Sequence, residues 1–368
     1  MKNHLLFLIL FFSGNFLQAE NSDQQQWLNI TTSIPDIPVS KGLAGSFTGI
    51  DNNALIVAGG YYLDKKLGEG GNKVYSDSIF VCIKEGKDYQ WIFAGNLPYP
   101  VAHGSAVATG KGLLCIGGEN NRQKYVNAFL LRWHPVNQEV VINGDLPPLP
   151  AASSYLSALA IGNTVYAIGG KIQSNETEVI SNNFWKLDMD ETTGKGWQTL
   201  EPNPGGLRFG SSLAKQSDGE YDGLFLFGGK SDEGYLSDAY LFNPKMEGKK
   251  EQWKKLADMP RSSFAAPILA IGGSRVFIFS GSDGHDGDKL LGIRDNYHFT
   301  NEILSYNTIT NVWNSAGILP QDIVNTTALM WDGQIVIPGG EIKPGICSAK
   351  VISVSVNSQN RKDRKSVV

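Results

Sequence analysis

Cysteine and histidine are scarce in this chain, and long apolar runs are nearly absent. Among 368 residues there are three cysteines and five histidines. Cys82, Cys115 and Cys347 cannot all pair, and no Cys-x-x-Cys or zinc-like spacing links them, which argues against a structural metal. Cys82 and Cys115 each lie in an apolar run and read as small buried hydrophobes. The spacing leaves open whether they form a disulfide. Charge of one sign is also missing, since 32 basic and 36 acidic residues give a net −4. No block rich in Lys and Arg occurs before the C-terminal tail, so the counterion-releasing surface of a nucleic-acid binder is excluded. Beyond the N-terminus no segment reaches the ~20 apolar residues of a membrane helix. There is no Gly-x-Ser-x-Gly elbow and no phosphate loop.

Met1-Lys2-Asn3-His4 is a short basic start, Leu5 to Phe12 is apolar, and Leu17-Gln18-Ala19 is a small-residue cleavage pattern. This layout predicts a secretory signal peptide over residues 1–19 and a periplasmic or secreted mature protein. Residues 20–358 then form one domain, and 359–368, with Arg361-Lys362-Asp363-Arg364-Lys365, form a basic solvated tail.

What the chain has in quantity is glycine, 42 residues of it, and a repeat. Apolar runs end in a small pair at Gly59-Gly60, Gly117-Gly118, Gly169-Gly170, Gly228-Gly229, Ser280-Gly281 and Gly339-Gly340. The first members are 58, 52, 59, 52 and 59 residues apart. A period of about 50 residues with this signature is kelch-like, each repeat making one four-stranded blade. Within each unit a small-residue strand such as Ala151–Ala160 suits the narrow centre of a ring, and the strand ending in the glycine pair follows. A third, aromatic-rich strand comes next, and a fourth usually carries tryptophan, at Trp91, Trp197, Trp253 and Trp313. The last unit stops at its third strand, Lys350–Val356, while an unused tryptophan strand, Gln26–Ile30, stands at the other end. The expected fold is therefore an all-β, six-bladed kelch-type β-propeller, its ring closed by the N-terminal strand joining the C-terminal blade.

Propeller connectivity puts the loops after each glycine pair and those leading into each innermost strand on one face. After the pairs stand Glu119, Lys171, Lys230, Asp283 with His285, and Glu341 with Lys343. Leading into the inner strands are His103, Tyr155, Arg208, Arg261 and Asn325. A ring of charged, aromatic and amide groups suits a polar ligand such as a sugar acid. Asp283-Gly284-His285-Asp286-Gly287 is only faintly like a metal loop. The scattered histidines exclude a copper centre built from several His and Tyr ligands.

Gly339-Gly340-Glu341-Ile342-Lys343-Pro344-Gly345 resembles the Gly-Glu-x-Lys-Pro-Gly motif of bacterial sialic acid mutarotases, or N-acetylneuraminate epimerases. Leu43 to Gly49, Leu55 to Gly60, Leu113 to Glu119 and Pro204 to Arg208 are similar to further stretches of that family. Their order is rotated, since the motif lies near the C-terminus here, so the chain resembles the cyclically permuted branch. The resemblance implies an isomerase that interconverts the α and β anomers of N-acetylneuraminate by acid–base ring opening, without cofactor or metal. It implies Glu341 as the catalytic carboxylate and Arg208 as a cation for the substrate. Lys343, Arg261, His103 and Glu119 complete the expected substrate-binding set. The family motif continues Leu-Arg-Thr, whereas this chain has Ile346-Cys347-Ser348, so Cys347 occupies the arginine position. The partner implied is a small sugar acid, bound by a monomer or homodimer; the alternative is a non-catalytic propeller that binds glycan or protein.

Overall fold

The computed structural model describes residues 28–31, 34–174, 177–190, 194–285 and 298–356. The expected signal segment, the basic tail, Gln26-Trp27 and Asp286-Gly287 lie outside these residues. Among the described residues there is no α-helix, only short 3₁₀ turns and strands.

Six four-stranded antiparallel sheets, among the described residues, make a β-propeller. Their innermost strands are Phe47–Asp51, Ser105–Thr109, Ser157–Ile161, Ser212–Ser217, Ile268–Ile271 and Leu329–Trp331. The central residues of the second strands are apolar on both faces rather than alternating, because both faces of every sheet pack against a neighbouring sheet. Leu55, Ile56, Leu224, Phe225, Leu226 and Phe227 are all fully buried. The core therefore lies between the sheets: Phe47, Ile56 and Val81 of the first meet Leu113, Phe129 and Trp133 of the second.

The sixth sheet runs Leu329–Trp331, Gln334–Pro338, Val351–Val356, and then Leu28–Thr31 from the other end of the chain. Leu28 pairs with Val356 and Thr31 with Ser353, which is the closure expected from the missing tryptophan strand. Closure is drawn tighter at the centre. The backbone N–H of Gly45 donates to Asn325 O, His103 to Gly45 O, Tyr155 to His103 O, Gly210 to Tyr155 O, Ala265 to Gly210 O, and Asn325 to Ala265 O. These six bonds, 2.6–2.9 Å long, form an unbroken annulus with one residue from the approach to each sheet.

The glycine pairs have a geometric reason. At Gly339 and Gly340 φ is +65° and +97°, and a Cβ on Gly339 would lie 2.6 Å from the carbonyl oxygen of Leu43. The pair turns the chain off its sheet and lets the adjacent sheet approach to backbone contact. The tryptophans stitch sheets together as well. The indole N–H groups of Trp91, Trp197, Trp253 and Trp313 donate to the carbonyls of Pro35, Pro147, Glu201 and Ala257, each on the chain leaving the previous sheet. Cys82 and Cys115 are buried free thiols, not joined in a disulfide, and burial pushes the Cys82 thiol up to about 12.

Candidate functional site

Past each glycine pair the chain projects a small hairpin or loop over one end of the ring. Tyr61–Leu63 pairs with Lys73–Tyr75, Lys171–Ser174 with Thr177–Ile180, and Glu341–Lys343 with Ile346–Cys347. Residues of the central annulus meet them there. His103, Tyr155 and Asn325 hold φ between +53° and +59°, the left-handed region that non-glycine residues seldom occupy. They line a central cavity of about 180 Å³.

Glu341 sits at this mouth, 8 % exposed. Its Oε2 accepts from the Tyr61 hydroxyl at 2.7 Å and from Asn325 Nδ2 at 2.9 Å, and its Oε1 accepts from the backbone N–H of Gly345. The Gly345 bond explains the motif around it: Pro344-Gly345 folds the hairpin so that its own amide returns to the carboxylate, with Gly345 at φ +77°. Cys347 is the backbone partner of Glu341 across the hairpin, and its thiol lies 3.4 Å from Tyr61 O. Burial, then the Glu341 charge, raises the Cys347 thiol, which keeps it protonated.

His103 is 4 % exposed, its ring stacked on Tyr155 at a centroid distance of 3.9 Å and tilted 4.8 Å from Tyr61. Its Nε2 lies 2.9 Å from the Tyr155 hydroxyl and 3.2 Å from Lys73 Nζ. Desolvation, and then the charges of Lys73, Lys124 and Lys171, hold its pKa well below the ordinary value, so the ring is neutral. Burial likewise raises the hydroxyls of Tyr61 and Tyr155 well above the usual tyrosine range, and both remain proton donors. Glu119 accepts from Lys124 at 2.6 Å and from Ser154 Oγ at 2.7 Å.

Of the six expected residues, the structure thus brings Glu341, His103 and Glu119 to the mouth. Lys343 stands exposed on the Glu341 strand, and its charge reaches Asp322. Arg208 and Arg261 are placed otherwise, and their expected substrate contact is corrected. The Arg208 guanidinium is fully buried and clasps Asp238 through two bonds of 2.9 and 2.7 Å, with a third to Gly228 O at 3.2 Å. Arg261 repeats the device one sheet on, reaching Ser280 O at 2.8 Å and Glu302 Oε2 at 3.3 Å. Both arginines precede an inner strand but point back into the seam between sheets, where a carboxylate already takes them.

Sequence reasoning passed over Tyr61, Lys73, Lys124 and Glu178. Tyr61 directly follows Gly59-Gly60, so the rule that found Glu341 also marks it. Lys73 had no signal, because only the Tyr61–Tyr75 register returns it to the mouth.

No family model matches the chain. It is 30% identical over 232 residues to the N-acetylneuraminate epimerase of Haemophilus influenzae (strain PittEE), covering 55% of this chain and 57% of that protein. The protein of the same name from Pasteurella multocida (strain Pm70) is 27% identical over 235 residues, covering 56% and 57%. That of Yersinia pestis is 26% identical over 217 residues. The chain spans about half the length of the curated relatives it matches. The solved structure of YjhT aligns with a TM-score of 0.66, covering 89% of this chain and 98% of that one at 15% identity, a shared fold.

Proposed function

We propose that this propeller is a sugar-acid mutarotase, interconverting the α and β anomers of N-acetylneuraminate with Glu341 as general acid–base. The observation that carries the reading is the state of Glu341. It is a nearly buried carboxylate at the channel mouth, fixed by three donors and, among the described residues, paired with no cation. The names of relatives at 26–30% identity supply the substrate. Their alignments stop near half the chain while the fold match spans 89% of it, which accords with a permuted order of blades.

In the forward step the carboxylate takes the proton of the anomeric hydroxyl. The bond from the anomeric carbon to the ring oxygen breaks, its electron pair stays on that oxygen, and a proton is delivered there. The open-chain keto acid then recloses on its other face. One proton is taken and one returned, so a single fixed carboxylate suffices, with proton transfer worth ~10²-fold or more in rate. Tyr61, Asn325 and the Gly345 amide hold the carboxylate in place for that transfer.

The test is proton NMR of freshly released α-N-acetylneuraminate. Wild-type protein should speed its conversion above the spontaneous rate, and Glu341→Gln should slow that by ~10²-fold. Glu341→Gln at the wild-type rate overturns the mechanism. Cys347 at the arginine position favours the second reading, a non-catalytic sugar-binding propeller, and that reading requires wild-type binding with no acceleration.

A further inference from the structure

Six charged side chains gather at the mouth: Lys73, Lys124 and Lys171 against Glu119, Glu178 and Glu341. Lys124 bridges Glu119 and Glu178, each at 2.6 Å, and Lys171 takes the other oxygen of Glu178 at 2.7 Å. Four charges are thereby satisfied among themselves. Among the described residues, Lys73 and Glu341 make no ion pair, although a part-buried charge is normally paired.

The atoms in contact with the Lys73 amine carry no countercharge; burial lowers its pKa, and the charges of Glu119 and Glu341, beyond ion-pair distance, partly oppose that. Nζ lies 4.5 Å above the centroid of the Tyr61 ring, 3.3 Å from the Tyr155 hydroxyl and 3.2 Å from His103 Nε2. An ammonium has only hydrogens to offer, so Nε2 is its acceptor and the imidazole proton rests on Nδ1. All three neighbours are uncharged. The two unpaired charges are joined through Tyr61, whose face lies under Lys73 and whose hydroxyl bonds Glu341. Lys73 also walls a hollow of about 610 Å³ with Tyr75, Tyr99, Asn120 and Tyr125, on the side of its hairpin away from Glu341 and the Tyr61 ring, which do not line it. Finally, its charge is felt at Cys347, the position where the family motif carries a guanidinium.

We propose that Lys73 binds the carboxylate of the sugar acid, doing from a neighbouring hairpin what an arginine at position 347 would do. The assignment rests on the sugar-acid reading above. A ligand bridging the mouth sets its carboxylate on Lys73 and its anomeric hydroxyl on Glu341, and both unpaired charges are then satisfied. Lys73 is accordingly the specificity-determining residue that separates an acid from its neutral ester.

The experiment measures dissociation constants for N-acetylneuraminate and its methyl ester, by calorimetry, on wild type, Lys73→Met and Lys73→Met/Cys347→Arg. Anomerisation kcat and KM are measured on the same proteins. A lost charge-assisted contact should weaken acid binding, and raise KM, by ~10- to 100-fold in Lys73→Met. Ester binding should stay within about twofold, and the double variant should regain the preference for the acid. Thermal unfolding should show Lys73→Met at least as stable as wild type, since an unpaired charge has been removed. Unchanged acid binding overturns the inference, as does an equal loss for acid and ester, or a fall in kcat at constant KM. If wild type prefers the acid but does not speed anomerisation, the mutarotase reading fails while the role of Lys73 stands.

Discussion

Replacing Arg208 by methionine keeps much of the buried volume and removes the guanidinium. Asp238 is then left in the seam between two sheets with its side chain 20 % exposed, and Gly228 O loses a donor. Breaking a buried ion pair from one side destabilises by about 3–5 kcal/mol. Partial access of water to Asp238 places the expected value near the lower limit, about 3 kcal/mol. Lysine is no substitute, because a single ammonium cannot make the two parallel bonds to Oδ1 and Oδ2. Nor can the surrounding loop adjust freely. A Cβ at Gly205 would lie 2.2 Å from the Arg208 Nη2, so the chain is already wrapped tightly round the guanidinium. The assay is denaturant unfolding at neutral pH, with sugar-acid binding measured on the same samples well below the transition. Arg208→Met should lower the midpoint strongly and leave the dissociation constant near wild type. Adding Asp238→Leu should recover most of the loss, since the orphaned carboxylate is gone. A stable Arg208→Met that binds the acid ten times more weakly would refute this and return Arg208 to the ligand.

Two further outcomes are expected from the fold and the site. His103 stays neutral in the folded protein because burial and three facing lysines (Lys73, Lys124, Lys171) depress its pKa, while Tyr61 and Tyr155 pack on it uncharged. Below about pH 6.5 the unfolded chain therefore binds a proton that the folded one refuses, so stability falls as pH falls, by about 1.4 kcal/mol per pH unit from this group. Unfolding curves of His103→Gln should lack that increment, and an identical acid slope would count against it. At the closure, Leu28 is 2 % exposed and packs with Ile352, Val354 and Phe279, so Leu28→Ala should cost about 2–5 kcal/mol. Light scattering on heating should show association through the freed edge of Val351–Val356.

The repeat was legible because its signature is a backbone requirement. A glycine pair is written wherever the chain needs positive φ and another sheet presses against it, as Leu43 O does on Gly339. The N-terminal strand was legible by subtraction, one sheet lacking a strand and one strand lacking a sheet. The mouth was legible only in part. Connectivity tells which loops share a face, and this found Glu341, His103, Tyr155 and Asn325. It does not tell which way a side chain turns, so Arg208 and Arg261 passed as mouth residues although Asp238 and Glu302 draw them into the seams. Those carboxylates lie 30 and 41 residues downstream, with no local pattern to announce the pairing. Lys73 escaped for the opposite reason, as a lysine in a glycine-rich turn whose position depends on a hairpin folding back over the ring.

The annulus of six backbone bonds explains why a near-symmetric ring can hold an asymmetric site. Its six positions share one backbone geometry, with φ between +53° and +65° at Gly45, His103, Tyr155, Gly210, Ala265 and Asn325. A side chain in that region costs about 1–2 kcal/mol, and glycine avoids the penalty. Yet four of the six carry side chains, and three of those are the polar groups His103, Tyr155 and Asn325. The glycines are fixed by their neighbours instead: a Cβ at Gly45 would stand 2.8 Å from His103 Nδ1, and one at Gly210 would meet the Phe264 ring at 2.3 Å. Glycine at 45 is thus what allows the imidazole to lie flat on Tyr155 and within reach of Lys73. The polar positions cluster on the approaches to the sixth, second and third sheets, and the hairpins bearing Glu341, Lys73, Lys124 and Lys171 arch over that same arc. Gly210 and Ala265 occupy the opposite side of the annulus, while Gly45 lies within the polar arc between Asn325 and His103. Backbone hydrogen bonds hold the strained residues in register, and the side chains there are left to differ, which is how one arc of the ring carries the candidate site.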